Sequence, residues 1–154
     1  MTVDHISLVT TPVLLLKGDT LVSQGTGFYY ISQHKEKNLS VVFLVTNYHV
    51  LTGSSPSDKK PPIGDNIIFF CHKDDTRPGE IKQIRFPLFT KKNDPIWIPN
   101  KEFPDADVAI IPLPSGILSD CKVFGISEEW ARGNILVRPS STITLIGYPY
   151  GYYE

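Results

Sequence analysis

Short hydrophobic runs separated by turn-forming residues fill most of this 154-residue chain. The strongest run is Leu39–Thr46, which contains Val-Val-Phe-Leu-Val and predicts a strand buried on both faces. Similar runs predict further strands at Ile6–Leu16 (broken at Pro12), Phe28–Ser32, Asn66–His72, Glu80–Pro87, Val108–Leu113, Ile135–Val137 and Thr142–Ile146. Many short strands at regular spacing are typical of an all-β barrel or sandwich.

Three segments between the runs have patterns of their own. Gly25-Thr26-Gly27 indicates either a turn or a close approach of two backbone segments. The polar residues 33–38 predict a hairpin loop. The segment Ser127–Arg132 predicts one helical turn, with Ser127 as N-cap and Gly133 as C-cap.

The composition narrows the possible functions. A hydrophobic share of 41% is enough for one packed core, while 13 prolines disfavour long helices. A net charge of −1 supplies no basic surface for nucleic acid, and no apolar stretch approaches the ~18 residues of a membrane-spanning helix. Two cysteines, Cys71 and Cys121, are too few for a disulfide framework. Free thiols and a cytoplasmic location are therefore predicted.

Two polar residues stand at the ends of hydrophobic runs. His49 follows the strand Leu39–Thr46, and Asp107 precedes the strand that ends at Leu113. A histidine is a general base near neutral pH, and a carboxylate on its Nδ1–H leaves Nε2 free to take a proton. Asp105 shares a strand face with Asp107 and is an alternative to it.

Other candidates have weaker patterns. Cys71 and His72 are adjacent and point to opposite faces of a strand, so they cannot chelate a metal together. His5 and His34 are interpreted as surface residues, and Glu128-Glu129 as part of a solvated helical turn. No metal site and no cofactor are predicted.

Four motifs together resemble those of trypsin-like (chymotrypsin-fold) serine peptidases of the bacterial type. They are Thr46-Asn47-Tyr48-His49-Val50, Gly25-Thr26-Gly27-Phe28, Asp107-Val108-Ala109-Ile110 and Gly147-Tyr148-Pro149-Tyr150-Gly151. The resemblance implies that His49 is the general base and that Asp107, rather than Asp105, is the orienting acid. It implies protein or peptide substrates.

The resemblance also implies a chymotrypsin-like fold. Residues 1–115 would form the N-terminal β-barrel, and residues 116–154 a linker and the incomplete start of a second barrel. Strands of an incomplete barrel have unpaired edges, and the C-terminal tyrosines add apolar surface. We therefore expect self-association or a partner chain that covers this part.

One part of the family pattern is missing from this sequence. The nucleophile of the family lies in Gly-x-Ser-Gly, which does not occur here. Ser54, Ser55 and Ser115 lack the flanking glycines, and Ser115 comes too soon after the Asp107 strand. The predicted function is therefore the N-terminal portion of a serine endopeptidase, inactive as given. The alternative is a non-catalytic module of the same fold that binds a protein partner.

Overall fold

The computed structural model describes residues 8–34, 36, 38–58, 60–73, 79–132, 142 and 146–148. These residues form eight strands: β1 (Thr10–Lys17), β2 (Thr20–His34), β3 (Leu39–Thr46), β4 (Asn66–His72), β5 (Ile81–Pro87), β6 (Ile98–Pro99), β7 (Ala109–Leu113) and β8 (Ile126–Ser127). The same residues form two short α-helices, α1 (Tyr48–Thr52) and α2 (Glu128–Ala131). Neither helix of this described part is long and apolar enough to cross a membrane. The predicted all-β class is confirmed.

Seven of these strands form an antiparallel sheet in the order β5-β4-β1-β2-β3-β7-β6, and β8 pairs with β2 in parallel. The two end strands, β5 and β6, are connected by a hairpin. Within this hairpin the N–H of Ile96 donates to the carbonyl of Leu88 at 2.8 Å, and Phe89 bridges Pro95. The first and last strands of the sheet order, β5 and β6, are therefore consecutive in the sequence.

Strand β2 runs through the glycine motif without a turn. Its register pairs Val13 with Gly25, and Gly27 with Thr46. A Cβ atom at Gly25 would lie 2.4 Å from Cγ2 of Val50, and one at Gly27 would lie 2.8 Å from Cδ1 of Leu44. Of the two interpretations, the close approach is correct and the turn is wrong. The absence of side chains here lets the core pack directly onto the backbone of β2.

The core lies on one face of the sheet. Its buried side chains include Val13, Leu15, Tyr29, Leu44, Ile67, Phe69, Ala109 and Ile111. In β3, Leu44 and Thr46 on one face are buried, whereas Val41 on the other face is 42% exposed. The prediction that Leu39–Thr46 is buried on both faces is therefore wrong. One covered face and one more open face are usual for antiparallel sheets.

Several predicted elements can be compared with the observed ones. The bounds predicted for β3 and β4 are confirmed. The predicted break at Pro12 does not occur, and β1 continues through it. Proline lacks an N–H to donate, and β4 pairs only with the later part of β1, at Leu14–Leu16, so the β4 side of β1 is unpaired at Pro12. Ser127 is the N-cap of α2, as predicted, but the C-cap is Arg132 rather than Gly133. The predicted strand Ile135–Val137 and most of the predicted strand 142–146 lie outside the described residues.

The prediction of free thiols is wrong. Cys71 in β4 and Cys121 form a disulfide, with their Cα atoms 6.1 Å apart. The segment around Cys121 is also held by an ion pair between Lys82 and Asp120. The backbones of His72 and Lys122 form an isolated antiparallel β-bridge beside it. Disulfides persist in oxidising compartments, so the thiol argument for a cytoplasmic location is lost, and that location stays a prediction. The predicted domain boundary after residue 115 also stays a prediction.

Candidate active site

Adjacent ends of β3 and β7 bring His49 and Asp107 together. The two strands are antiparallel neighbours, and Thr46 at the end of β3 faces Ala109 at the start of β7. The chain that leaves β3 therefore lies beside the chain that enters β7. His49 follows Thr46 by three positions, in the first turn of α1, and Asp107 precedes Ala109 by two.

The Asp107 carboxylate contacts His49 through both of its oxygens. The backbone N–H of His49 donates to Oδ1 at 2.9 Å, and Nδ1 of the imidazole lies 2.5 Å from Oδ2. An ionised carboxylate only accepts hydrogen bonds, so Nδ1 carries a proton. In the neutral imidazole, Nε2 is then unprotonated and has the lone pair that a general base needs.

Asn47 is a further residue of this site. Its side-chain amide donates to the main-chain oxygen of Asp107 at 3.0 Å and to Oδ2 of the same residue at 3.3 Å. In the sequence, Asn47 appeared only as one letter of the motif around His49. An asparagine directly before a short helix indicates an N-cap, a pattern that does not reveal a contact with a residue 60 positions away.

The pKa of the Asp107 carboxyl lies below its usual range. Partial burial acts in the opposite direction, but the backbone N–H and the imidazole of His49, together with the Asn47 amide, favour the ionised form. The His49 side chain is 53% exposed and that of Asp107 is 39% exposed. Asp107 therefore occupies the Nδ1 side of a ring that stays about half exposed to solvent.

Buried residues directly after His49 fix the helix that carries it. Val50 is 2% exposed and Leu51 is fully buried. The close approach of Val50 to Gly25 packs α1 onto β2. Gly53 ends the helix with a φ of 75°, and its N–H donates to the carbonyl of His49 at 2.7 Å. The backbone of His49 is therefore bound on both sides, to Asp107 and to Gly53.

The four motifs of the sequence meet at this end of the sheet. The Asp107 motif contacts the His49 motif as described above. The hydroxyl of Thr46 donates to the carbonyl of Thr26 at 2.8 Å, which joins the His49 motif to the glycine motif. The N–H of Tyr148 donates to the Thr26 hydroxyl at 2.7 Å, which brings in the fourth motif. Residues 149–151 of that motif lie outside the described part of the chain.

Other predicted acids and histidines lie apart from this contact. Asp105 is exposed, and it is Asp107 whose carboxylate contacts His49. His34 is exposed at the end of β2, which confirms its interpretation as a surface residue, whereas His5 lies outside the described residues. Glu128 and Glu129 are exposed on α2, also as predicted.

The serines considered as nucleophiles have other surroundings. Ser115 follows the far end of β7, a strand that spans about 13 Å at ~3.3 Å per residue, whereas Asp107 precedes the near end. The Ser54 hydroxyl is buried, with no hydrogen-bond partner among the described residues. The Ser55 hydroxyl pairs with that of Ser57 at 2.9 Å. None of these arrangements includes a bond to His49.

The side chains of the described residues do not converge as metal ligands. No group of three or more His, Cys, Asp or Glu side chains in this part of the chain is placed to hold a metal ion. Cys71 is buried in its disulfide, while His72 on the opposite face of β4 is half-buried. The prediction that these two residues do not chelate a metal together stays a prediction.

Comparison of the chain with protein-family models, with curated proteins and with solved structures finds no match. The resemblance to trypsin-like peptidases therefore rests on the four motifs. The geometry of His49, Asp107 and Asn47 is an independent observation, since it depends on tertiary contacts that the motifs do not contain.

Proposed function

We propose that this chain is the N-terminal portion of a trypsin-like serine endopeptidase, with His49 as general base and Asp107 as orienting acid. The observation that carries the proposal is the pairing of Nδ1 of His49 with Oδ2 of Asp107. The contacts that join the four motifs at this end of the sheet support it. An antiparallel sheet with the histidine after β3 and the acid before β7 is compatible with the first barrel of a chymotrypsin-like fold.

The pair would act on a serine hydroxyl that attacks the carbonyl carbon of a peptide bond. Nε2 of His49 would take the hydroxyl proton during the attack and later give it to the leaving amine. Asp107 would hold Nδ1–H and stabilise the imidazolium formed in between. These steps transfer the acyl group to the serine. A water molecule that gives its proton to Nε2 would then attack the ester, and the proton would return to the serine oxygen as the acid leaves. Neither stage calls for a metal or a cofactor.

The nucleophile would come from outside these 154 residues, because the sequence contains no Gly-x-Ser-Gly. Loss of the nucleophile alone lowers turnover by about 10⁶ in a serine protease. The backbone donors that stabilise the oxyanion belong to the same missing motif. By itself, this chain would not cleave a peptide bond.

A fluorophosphonate probe tests the proposal on the complete gene product, purified from its native source and as variants. The probe phosphonylates a serine only where a general base activates it. We expect labelling of the natural protein and no labelling of the His49→Ala variant. His34→Ala, which removes an exposed histidine far from Asp107, should be labelled as the natural protein is. Equal labelling of the His49→Ala variant would overturn the assignment of the base.

The alternative function, a non-catalytic module that binds a protein, is favoured by a different surface. A groove of about 500 Å³ on β2, β3, β6 and β7 has an apolar lining: Phe28, Tyr30, Phe43, Val45, Ile98 and Ile110. An apolar groove of this kind would be covered by a protein partner, and a second copy of the chain is the partner that can be tested directly. Sedimentation velocity should then detect a dimer that Phe43→Glu dissociates and His49→Ala does not. A monomer at all concentrations would exclude self-association through this groove and would leave a different protein as the partner of the alternative function.

A further inference from the structure

Asn47 occupies the N-cap position of α1, yet its side chain makes no capping hydrogen bond. An asparagine at this position ordinarily accepts the N–H of the second or third helical residue. The second helical residue is His49, and its N–H donates instead to Oδ1 of Asp107 at 2.9 Å. The carboxylate from the neighbouring strand therefore caps the helix in place of Asn47.

Because the Asn47 side chain is not turned toward the helix to accept this bond, its NH₂ group can point toward Asp107. The amide reaches the main-chain oxygen of Asp107 at 3.0 Å and Oδ2 at 3.3 Å. Oδ2 is the same oxygen that lies 2.5 Å from Nδ1 of His49. Both carboxylate oxygens thus have a donor from the chain after β3, and these donors restrain rotation of the carboxylate about its Cβ–Cγ bond.

We propose that Asn47 is a positioning residue, whose amide holds Oδ2 of Asp107 against Nδ1 of His49. This inference rests on the proposed roles of His49 and Asp107, and it adds a third side chain to them. The Asp107 side chain is 39% exposed, so water competes for its oxygens. Without the Asn47 amide, Oδ2 turns toward water for part of the time, and Nδ1 of His49 loses its fixed acceptor.

The chain contains a matched control for this contact. The amide of Asn66 donates to Oδ1 of Asp65 at 2.7 Å, and this bond is the largest cause that lowers the pKa of Asp65. Asn66→Ala and Asn47→Ala therefore remove the same kind of hydrogen bond, from an asparagine amide to an aspartate. Only Asn47→Ala affects the carboxylate that contacts His49.

The test is NMR spectroscopy of the 154-residue chain, because its readouts do not require peptidase activity. ¹⁵N shifts report the imidazole tautomer, and ¹³C shifts report the titration of each carboxyl. In Asn47→Ala we expect a smaller fraction of the Nδ1–H tautomer of His49 and an upward shift of the Asp107 pKa. In Asn66→Ala we expect both to stay at their natural values while the Asp65 pKa rises.

The outcomes separate this inference from the proposed function. If Asn47→Ala does not fold, Asn47→Ser replaces it in the test, because serine is a good N-cap residue and lacks the amide. We expect the same two changes in this variant. An unchanged His49 tautomer and an unchanged Asp107 titration in a folded variant would overturn the role of Asn47 alone. A natural protein whose His49 shows no preference for Nδ1–H would overturn the pair itself, and with it both proposals.

Discussion

His49 is bound to Asp107 twice, once through its backbone N–H at 2.9 Å and once through Nδ1 at 2.5 Å. The two donors contact different oxygens of one carboxylate. The orientation of the ring is therefore coupled to the position of its own main chain. Asn47, on the same turn, adds a third donor to that carboxylate.

Asp107→Asn should keep the fold and reverse the tautomer of His49. The asparagine oxygen can still accept the His49 N–H, which leaves its NH₂ group facing Nδ1 and favours a proton on Nε2. We expect ¹⁵N NMR to show the Nε2–H tautomer, and turnover of the complete peptidase to fall by roughly 10⁴. Asp105→Asn, at an exposed carboxylate, is the matched control. Near-normal turnover in Asp107→Asn would move the role of the acid to another residue.

The free energy of unfolding should decrease in acid through Asp107 and Asp65. The pKa of Asp107 is lowered by its bonds with His49 and Asn47, against the effect of partial burial. The pKa of Asp65 is lowered by the Asn66 amide and the Gly18 N–H.

Because both pKa values are lower in the folded chain, the unfolded chain takes up protons first as the pH falls. The contribution of these two carboxyl groups to the free energy of unfolding is therefore fully present above about pH 5, and it decreases as the pH drops through ~4. Urea unfolding at a series of pH values measures this slope. A double variant, Asp65→Asn with Asp107→Asn, should have a flatter acid limb, and a slope equal to that of the natural protein would contradict the prediction.

Gly25→Ala should destabilise the fold next to His49. Its Cβ would lie 2.4 Å from Cγ2 of Val50, and overpacking of this kind costs about 1–3 kcal/mol. Gly116→Ala is the control, because no atom lies within 4 Å of its added Cβ. We expect urea unfolding to show a loss for Gly25→Ala and a change below ~0.5 kcal/mol for Gly116→Ala.

A second substitution identifies the cause of that loss. Val50→Ala removes the methyl group that the new Cβ would meet. In the double variant, the loss of stability should be smaller than the sum of the two single losses by about 1 kcal/mol or more. Additive losses would indicate that Gly25 matters for a reason other than its contact with Val50.

Removal of the disulfide between Cys71 and Cys121 should lower stability. The bond joins positions separated by 50 residues, and a cross-link of this span is expected to contribute about 2–4 kcal/mol. Cys71→Ala with Cys121→Ala should therefore unfold at a lower urea concentration than the oxidised natural protein. The natural protein reduced with a dithiol is the control, because it keeps both side chains. Alkylation of both cysteines in the unreduced, unfolded protein would show that the bond is absent.

Local sequence patterns predicted part of the fold well. The bounds of β3 and β4 follow from continuous runs of β-branched and aromatic residues, whose preference for extended backbone is largely local. The beginning of β2 was missed because Thr20–Gln24 contains few apolar residues and pairs through its backbone with β1. The disulfide was missed because the compartment was inferred from a cysteine count, which carries no information on distance.

Sequence patterns likewise predicted some features of the candidate site and not others. His49 and Asp107 could be selected from the sequence, because each stands at the end of a hydrophobic run and within a motif of known type. Their contact depends on the register that sets Thr46 opposite Ala109, and the role of Asn47 depends on which residue caps α1. Strand and turn preferences act between neighbours in the chain. Local patterns were therefore enough for the all-β class, the bounds of two strands and the two candidate residues. The pairing of β3 with β7 joins residues far apart in sequence, so local patterns could not show which carboxylate contacts the histidine or which amide contacts that carboxylate.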